Sequence, residues 1–423
     1  MLSDTQHTGH NAKPLNVTAQ IGATLSTSRD VRRGSARTTP RDARGVKAGG
    51  LGKTTKSASG CAEDESQALH SQRQRRFRLQ ATAGDLLGGR LSYCGRRRRK
   101  GVLDVHIRRG DDGSCYAAGL QRCGSVHSCP VCAARIAQTR RQEAITALAS
   151  WRASGGVVSM LTLTLPHNSG QSLDRVLAAV TYCTRYLNSG REAMSKLLAP
   201  FGYTGQIRAL EVTHGLNGWH PHIHVLVFTT TEVPEEVQDV LKARWESAAV
   251  AYGWASPDWR VGATWQDGRN AASYVNKAGT WGMAEEVTLH TSKKGNGGRT
   301  PFELLLDASL GDERAAQLFT EYGETLAGKR QQFWSKGLKK RFGIGEKTDQ
   351  EIVDGDDQEH GEESADSVPE IVAVVPADYW RLVVRYEERA ELLRAAEAGG
   401  QVAVDLMCSW LHQRFIREVT HAA

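Results

Sequence analysis

A chain of 423 residues, 40% hydrophobic and 24% charged, carries apolar material for more than one folding unit, because a single core rarely grows past about 250 to 300 residues; a wholly disordered protein is excluded. No stretch approaches the roughly 18 consecutive apolar residues of a membrane span, and the N-terminal MLSDTQHTGHNAKPL has no apolar h-region, so a cytoplasmic protein is expected, neither membrane-spanning nor exported. The net charge of +7 divides into +13 over residues 1–100, +4 over 101–346 and −10 over 347–423, and a basic front end suits a polyanionic partner, since Lys and Arg at phosphates release condensed counterions.

In chain order, residues 1–75 are rich in Ser, Thr, Gly, Arg and Ala with no sustained period of 3.6 or 2. Such a segment cannot bury enough apolar surface to offset ordering entropy and is expected to be a disordered basic tail. Residues 76–150 read as a compact, basic, Cys-bearing module. It carries Arg96, Arg97, Arg98, Arg99 and Lys100 as candidate DNA contacts and ends in a helix, AARIAQTRRQEAITALASW.

Val157–Leu165 (VVSMLTLTL) reads as a strand ended by Pro166. Ser172–Leu198 reads as a helix on the spacing of Leu173, Val176, Leu177 and Val180, with a break near Gly190. Gln206–Thr213 and His220–Phe228 are strands, Pro234–Tyr252 a helix, Trp259–Trp265 a strand and Asp267–Ala278 a helix. This β-α-β-β-α-β-α order predicts an α+β fold over residues 151–346, a ferredoxin-like antiparallel sheet with helices on one face.

Thr300–Leu326 is expected to be helical and leads into GKRQQFWSKGLKKRFG. There Lys339, Lys340 and Arg341 suit DNA contact, while Phe333, Trp334 and Phe342 could equally cover the sheet. Residues 347–375 are expected to form a disordered acidic linker, and 376–423 closing helices at Tyr379–Ala398 and Val402–Val419.

The segment EVTHGLNGWHPHIHVLVF is the most informative. Side chains alternate along a strand, so His220, His222 and His224 share one face and Ile223, Val225 and Val227 the other. Asn217-Gly218 signals a two-residue hairpin turn. Pairing Leu216 with Trp219 then sets Glu211 opposite His224 and Thr213 opposite His222. Cross-strand Cβ atoms lie about 4.5 to 5.5 Å apart, so Glu211, His222 and His224 can hold one divalent metal, leaving positions open for substrate oxygens. His220, next to the turn, reads as a supporting or loop residue.

Further on, ASYVNKAG places Tyr274 and Lys277 three apart on one helix face. A phenol ionises near pH 10, so as a nucleophile at neutral pH it needs a metal or cation beside it. Lys277 could supply part of that field or hold a phosphate oxygen.

Eight Cys are too few for a disulfide scaffold, and their clustering points to metal binding in a reducing compartment. Cys123, Cys129 and Cys132 lie in CGSVHSCPVC, whose C-x-x-C pair can grip a tetrahedral ion, with structural Zn²⁺ expected. A closed site needs a fourth ligand, for which Cys94, Cys115 and His127 compete. Cys61, Cys183 and Cys408 stand alone.

HPHIHVL followed by YVNK resembles the metal-binding and tyrosine motifs of the HUH endonucleases, specifically the rolling-circle replication initiators (Rep proteins) of actinobacterial and other Gram-positive plasmids. LTLTL, CGSVHSCPVC and GKRQQFWSKGLKKRFG extend the resemblance over roughly residues 90–345. It implies binding of a plasmid's double-strand origin and attack by Tyr274 on one phosphodiester of single-stranded or extruded DNA. The enzyme would stay joined to the 5′ phosphate while the 3′-OH primes synthesis, with host helicase and DNA polymerase as partners, and would later rejoin the strand. The resemblance also implies His222 and His224 as ligands of Mg²⁺ or Mn²⁺, Glu211 as the ligand from the adjacent strand, Lys277 as the Lys that follows the nucleophile, and Cys94 as the fourth cysteine of the cluster.

One position departs from the pattern. Some related initiators carry Glu one helical turn before the tyrosine, where this chain has Asn270. Asp267, two turns back, is expected to serve the terminating step, with a metal-bound water as the alternative. The chain has no second Tyr four residues from Tyr274 and no GxxxxGK[ST], unlike the usual two-tyrosine transposases and helicase-bearing relaxases. A non-catalytic, zinc-containing nucleic-acid-binding regulator is the alternative from another class.

Overall fold

The computed structural model describes residues 58–110, 113–257, 262–267, 298–355 and 369–422. Helix α1 (Ala58–Leu87) and the short α2 (Gly89–Tyr93) lead into β1 (Val105–Arg109) and β2 (Cys115–Ala118). The expected end of the tail at residue 75 therefore falls inside a helix, and residues 1–57 lie outside the described residues. Sequence periodicity misses α1 because Leu79 and Ala83, buried among its described side chains, follow a run of Arg and Gln. Helix α3 (Pro130–Ala153) starts with Cys129 as N-cap, whose sulfur accepts from the Cys132 N–H, and with Pro130 in its first turn, where a missing N–H costs nothing.

The central sheet is built from β3 (Val157–Thr164), β4 (Gly205–Gly215), β5 (Gly218–Thr229), β6 (Ala263–Asp267) and β7 (Gln332–Trp334). Its order is β6-β3-β5-β4-β7, antiparallel throughout. Counting β3 to β6 as first to fourth, this is the expected split βαβ arrangement, with β7 added at the β4 edge. The expected strand at Trp259–Trp265 is observed at Ala263–Asp267. Of the helix expected over Asp267–Ala278, all but Asp267 lies outside the described residues.

Helices α4 (Leu173–Leu187), α5 (Met194–Leu197) and α6 (Glu235–Ala251) follow β3, α4 and β5 respectively, the chain breaking around Gly190 (φ 79°) as expected. Helices α4 and α6 cover one sheet face, where Leu161, Leu163, Val225 and Val227 meet Val180, Cys183, Leu241 and Trp245. The opposite face is divided. At one end, Val158, Met160, Ile207, Leu226 and Phe228 are covered by Ala144, Ala147, Leu148 and Trp151 of α3. At the other end the same alternation presents His220, His222 and His224.

The hairpin register corrects the expectation. Gly215 pairs with Gly218, so the turn residues are Leu216 and Asn217, and Glu211 lies opposite His222 and Thr213 opposite His220. A mirror-image turn at Asn217-Gly218 would need positive φ at both positions. Instead Gly218 alone has positive φ (86°), the geometry of an ordinary turn closed by a glycine bulge. A Cβ there would also come within 3.0 Å of the Asn168 carbonyl. The slip is two residues, so every side chain keeps its face.

The helix expected over Thr300–Leu326 is two: α7 (Pro301–Ser309), opened by a Thr300–Glu303 capping box, and α8 (Glu313–Thr325), capped by Asp312. Gly311 (φ 101°) turns the chain between them. Then come α9 (Leu338–Arg341), α10 (Asp349–Asp354), β8 (Ile371–Val375), α11 (Ala377–Arg385) and α12 (Arg389–Ala422), which is kinked at Gly399 and Gly400. The acidic linker expected over 347–375 therefore holds a capped helix and a strand, while residues 356–368 lie outside the described residues.

Strand β8 completes a second antiparallel sheet in the order β2-β1-β8. Trp380, Val383, Leu392, Ala396 and Val404 pack there against Val105, Ile107, Ala373 and Val375. The C-terminal helices are thus part of the Cys-bearing module's core. Among the described residues, no helix is long and apolar enough to cross a membrane.

Candidate metal centre and cysteine cluster

Glu211 on β4 and His222 and His224 on β5 converge at the end of the sheet away from α3, their candidate ligand atoms all within 4.8 Å of one another. His224 Nε2 lies 2.8 Å from Glu211 Oε2, although its backbone partner on β4 is Ala209. His222, the backbone partner of Glu211, has Nδ1 4.0 Å from the same oxygen. That Nδ1 is buried with no hydrogen-bond partner. An orphaned imidazole nitrogen beside a carboxylate is the feature expected of a metal ligand, because leaving it unsatisfied otherwise costs free energy. Two imidazoles and one carboxylate fit a divalent ion with open positions.

Neighbouring side chains fix the imidazoles. Thr162 Oγ1 lies 3.1 Å from His224 Nδ1, and Thr164 Oγ1 lies 2.8 Å from His220 Nε2. His167 stacks on His220 with ring centroids 4.4 Å apart. Thr162, Thr164 and His167 were not picked out by the sequence, although the alternation in LTLTLPH carries the signal. His220 belongs to β5 and is held by Thr164 beside the ligand cluster.

Burial pushes the His222 imidazole down to about 4, against the opposing pull of Glu211, and burial followed by the charge of His222 does the same to His220. Both are neutral at pH 7, as ligation by His222 requires. Burial raises the Glu211 carboxyl, but the His224 hydrogen bond and the neighbouring histidines outweigh it and hold the group below its ordinary value. Asp267 ends β6, its backbone paired with Ser159. Tyr274 and Lys277 lie outside the described residues.

Cys94, just after α2, joins Cys123, Cys129 and Cys132 in a second cluster. Sulfur separations are 3.5 Å for Cys94–Cys132 and 3.7 Å for Cys94–Cys129 and Cys123–Cys132. Four thiolates at about 2.3 Å from Zn²⁺ stand about 3.8 Å apart, so the set fits a tetrahedral ion. The rival ligands are elsewhere: Cys115 lies on β2, and His127 is buried between the Tyr322 hydroxyl (3.2 Å) and the Lys329 carbonyl (3.1 Å).

The candidate DNA contacts separate into two groups. Arg96 pairs with Glu387, Arg97 lies over the Tyr93 ring, Arg98 donates to the carbonyls of Val102 and Leu103, and Arg99 bonds the Leu120 carbonyl and Asp354. This run ties the front module to α10 and to the turn before α12. Lys339 is 3% exposed and pairs at 2.8 Å with Glu143 of α3, so its charge is neutralised inside the protein. Lys100, Lys340 and Arg341 are exposed. Trp334 and Phe342 pack beneath the sheet with Trp151, while Phe333 stays exposed, with Arg208 over its ring.

Comparison with known proteins agrees with this geometry. The family model described as "Replication protein" matches residues 118–253, a span that contains three of the four clustered cysteines and the whole histidine hairpin. The chain is 28% identical to "Protein rep" of Streptomyces lividans over 358 residues, covering 67% of this chain and 77% of that protein. It is 30% identical over 139 residues to a "Neomycin resistance protein" of Streptomyces cyanogenus, covering 27% of this chain and 32% of that one. No solved structure matches. The histidine hairpin lies inside the matched span, and the two matches to replication proteins support a plasmid rolling-circle Rep protein.

Proposed function

We propose that this chain is a Rep protein that initiates plasmid replication by nicking one strand at the double-strand origin, with Tyr274 as nucleophile. The observation that carries the reading is the Glu211–His222–His224 cluster within the family-matched span. When bound there, Mg²⁺ or Mn²⁺ would polarise the scissile phosphate and stabilise its developing charge. Two imidazoles among three donors favour Mn²⁺ over the oxygen-seeking Mg²⁺.

The residues of the chain do the rest. Tyr274 Oη forms a bond to phosphorus as the P–O3′ bond breaks. The 3′ oxygen leaves and takes up a proton, giving the primer 3′-OH, and the phenol proton passes to solvent. Lys277, three residues on, helps to hold the phenolate or a phosphate oxygen. The later attack of a 3′-OH on the phosphotyrosine rejoins the strand, and Asp267 activates water for the terminating step. Cys94, Cys123, Cys129 and Cys132 hold structural Zn²⁺, and exposed Lys100, Lys340 and Arg341 contact phosphates. Host helicase and polymerase extend the primer.

The test uses a 3′-labelled single-stranded origin oligonucleotide and Mn²⁺. The wild-type protein should acquire the label covalently, and Tyr274→Phe should not, while retaining origin binding. A labelled adduct of undiminished yield in Tyr274→Phe would move the nucleophile elsewhere.

A further inference from the structure

A cavity of about 900 Å³ lies between α1, the first half of α3, β2, α10 and the start of α12. It is separate from the histidine face, because α3 runs about 36 Å from the cysteine cluster to the underside of the sheet and lines this cavity only with its first half. Its size suits a nucleotide-sized ligand. Seven lining residues are Arg or Lys, and among the described residues Glu351 is the single acidic one. Glu351 is engaged with Thr348 in the capping box of α10.

The cations of the cavity are not alike. Arg73 is paired with Glu397 at 2.7 Å, and Arg389 with Glu387 at 3.1 Å. Arg76, on the same helix as Arg73, has no carboxylate partner among the described residues, and its Nε is buried without a hydrogen bond. Burial and the neighbouring charge of Arg73 both lower its pKa. Burying one guanidinium beside another without an anion is unfavourable, and a bound anion would remove the cost.

We infer that this cavity is a phosphate site, in which Arg76 receives a phosphoryl group from a DNA strand or from a nucleotide. Arg76 supplies a planar fork of donors that matches phosphate oxygens two at a time. Arg73, already neutralised by Glu397, sets the position of the ligand. The site does not depend on the nicking reaction, since it shares no residue with the metal centre.

The experiment uses the full-length protein with two probes, a nucleoside triphosphate in the absence of divalent metal and an oligothymidylate of about ten nucleotides. Binding is followed by calorimetry, and modification of Arg76 by phenylglyoxal is followed by peptide mass spectrometry. One probe or both should protect Arg76 in the wild-type protein. Arg76→Gln should weaken that probe about tenfold or more, Arg76→Lys should restore part of the loss, and Arg191→Gln, at an exposed site outside the cavity, should change nothing. Protection by the triphosphate alone identifies a free nucleotide as the ligand, and protection by the oligonucleotide identifies the DNA backbone. Absence of protection by either probe would overturn the inference, a result that needs no variant to fold. So would an equal loss of binding in Arg76→Gln and Arg191→Gln.

Discussion

Glu211 reaches diagonally across the hairpin to His224, at 2.8 Å, and leaves its own backbone partner His222 4.0 Å away. One carboxylate oxygen thereby faces both imidazoles while bonding only that of His224. Glu211→Ala or His224→Ala is expected to abolish Mn²⁺ binding in calorimetry, together with nicking. Thr162→Val removes the group that orients His224 and should lower Mn²⁺ affinity about tenfold or more, the usual scale for a side chain that positions a ligand. Unchanged affinity in Thr162→Val would show that His224 is oriented by packing alone.

Cys132→Ala should lose bound zinc, measured by elemental analysis, and unfold the front module, since a structural zinc site contributes on the order of 10 kcal/mol to small domains that depend on it. Cys115→Ser, on β2, should keep both the metal and the fold. Full zinc content in Cys132→Ala would remove that thiol from the site.

Stability should fall on acidification. Burial pushes His127 down to about 4, so the unfolded chain takes up a proton near pH 6.5 that the folded chain refuses until about pH 4. Between those values the unfolded state binds more protons, and the contribution of this group, complete above about pH 6.5, is lost as the pH drops. Urea titrations across this range should show a shallower pH dependence in His127→Gln than in the wild-type protein. An identical slope in both would mean that His127 does not carry the effect.

Lys339 and Glu143 are both buried, and removing one partner leaves a charge stranded. Lys339→Ala should cost about 3 to 5 kcal/mol in chemical denaturation. Lys340→Ala, at an exposed position, should stay within about 0.5 kcal/mol and should instead reduce the salt dependence of DNA binding. A reversed order of these two effects would return Lys339 to the DNA surface.

Several misreadings in the sequence share a cause. The register of the hairpin depends on whether Gly218 closes or occupies the turn, and NG is compatible with both. The helix at Asp349–Asp354 and the strand at Ile371–Val375 were hidden because an acidic, short and locally marginal segment gains its order from distant partners, Arg99 and Arg140 for the helix and β1 for the strand. In the basic run from Arg96 to Arg99, two side chains meet carboxylates, Arg96 with Glu387 and Arg99 with Asp354, and net charge says nothing about such partners.

The sequence alone determined the alternation that aligns three histidines, the βαββαβ order of the sheet and the C-x-x-C pair, because each is a local consequence of side-chain period or loop geometry. Only the tertiary structure decided that Cys94 and not His127 joins the thiols, that Glu211 bonds His224 across the register, and that Lys339 is spent on Glu143. Those choices depend on distances between residues far apart in the chain, and burial fixes them only once the core has formed.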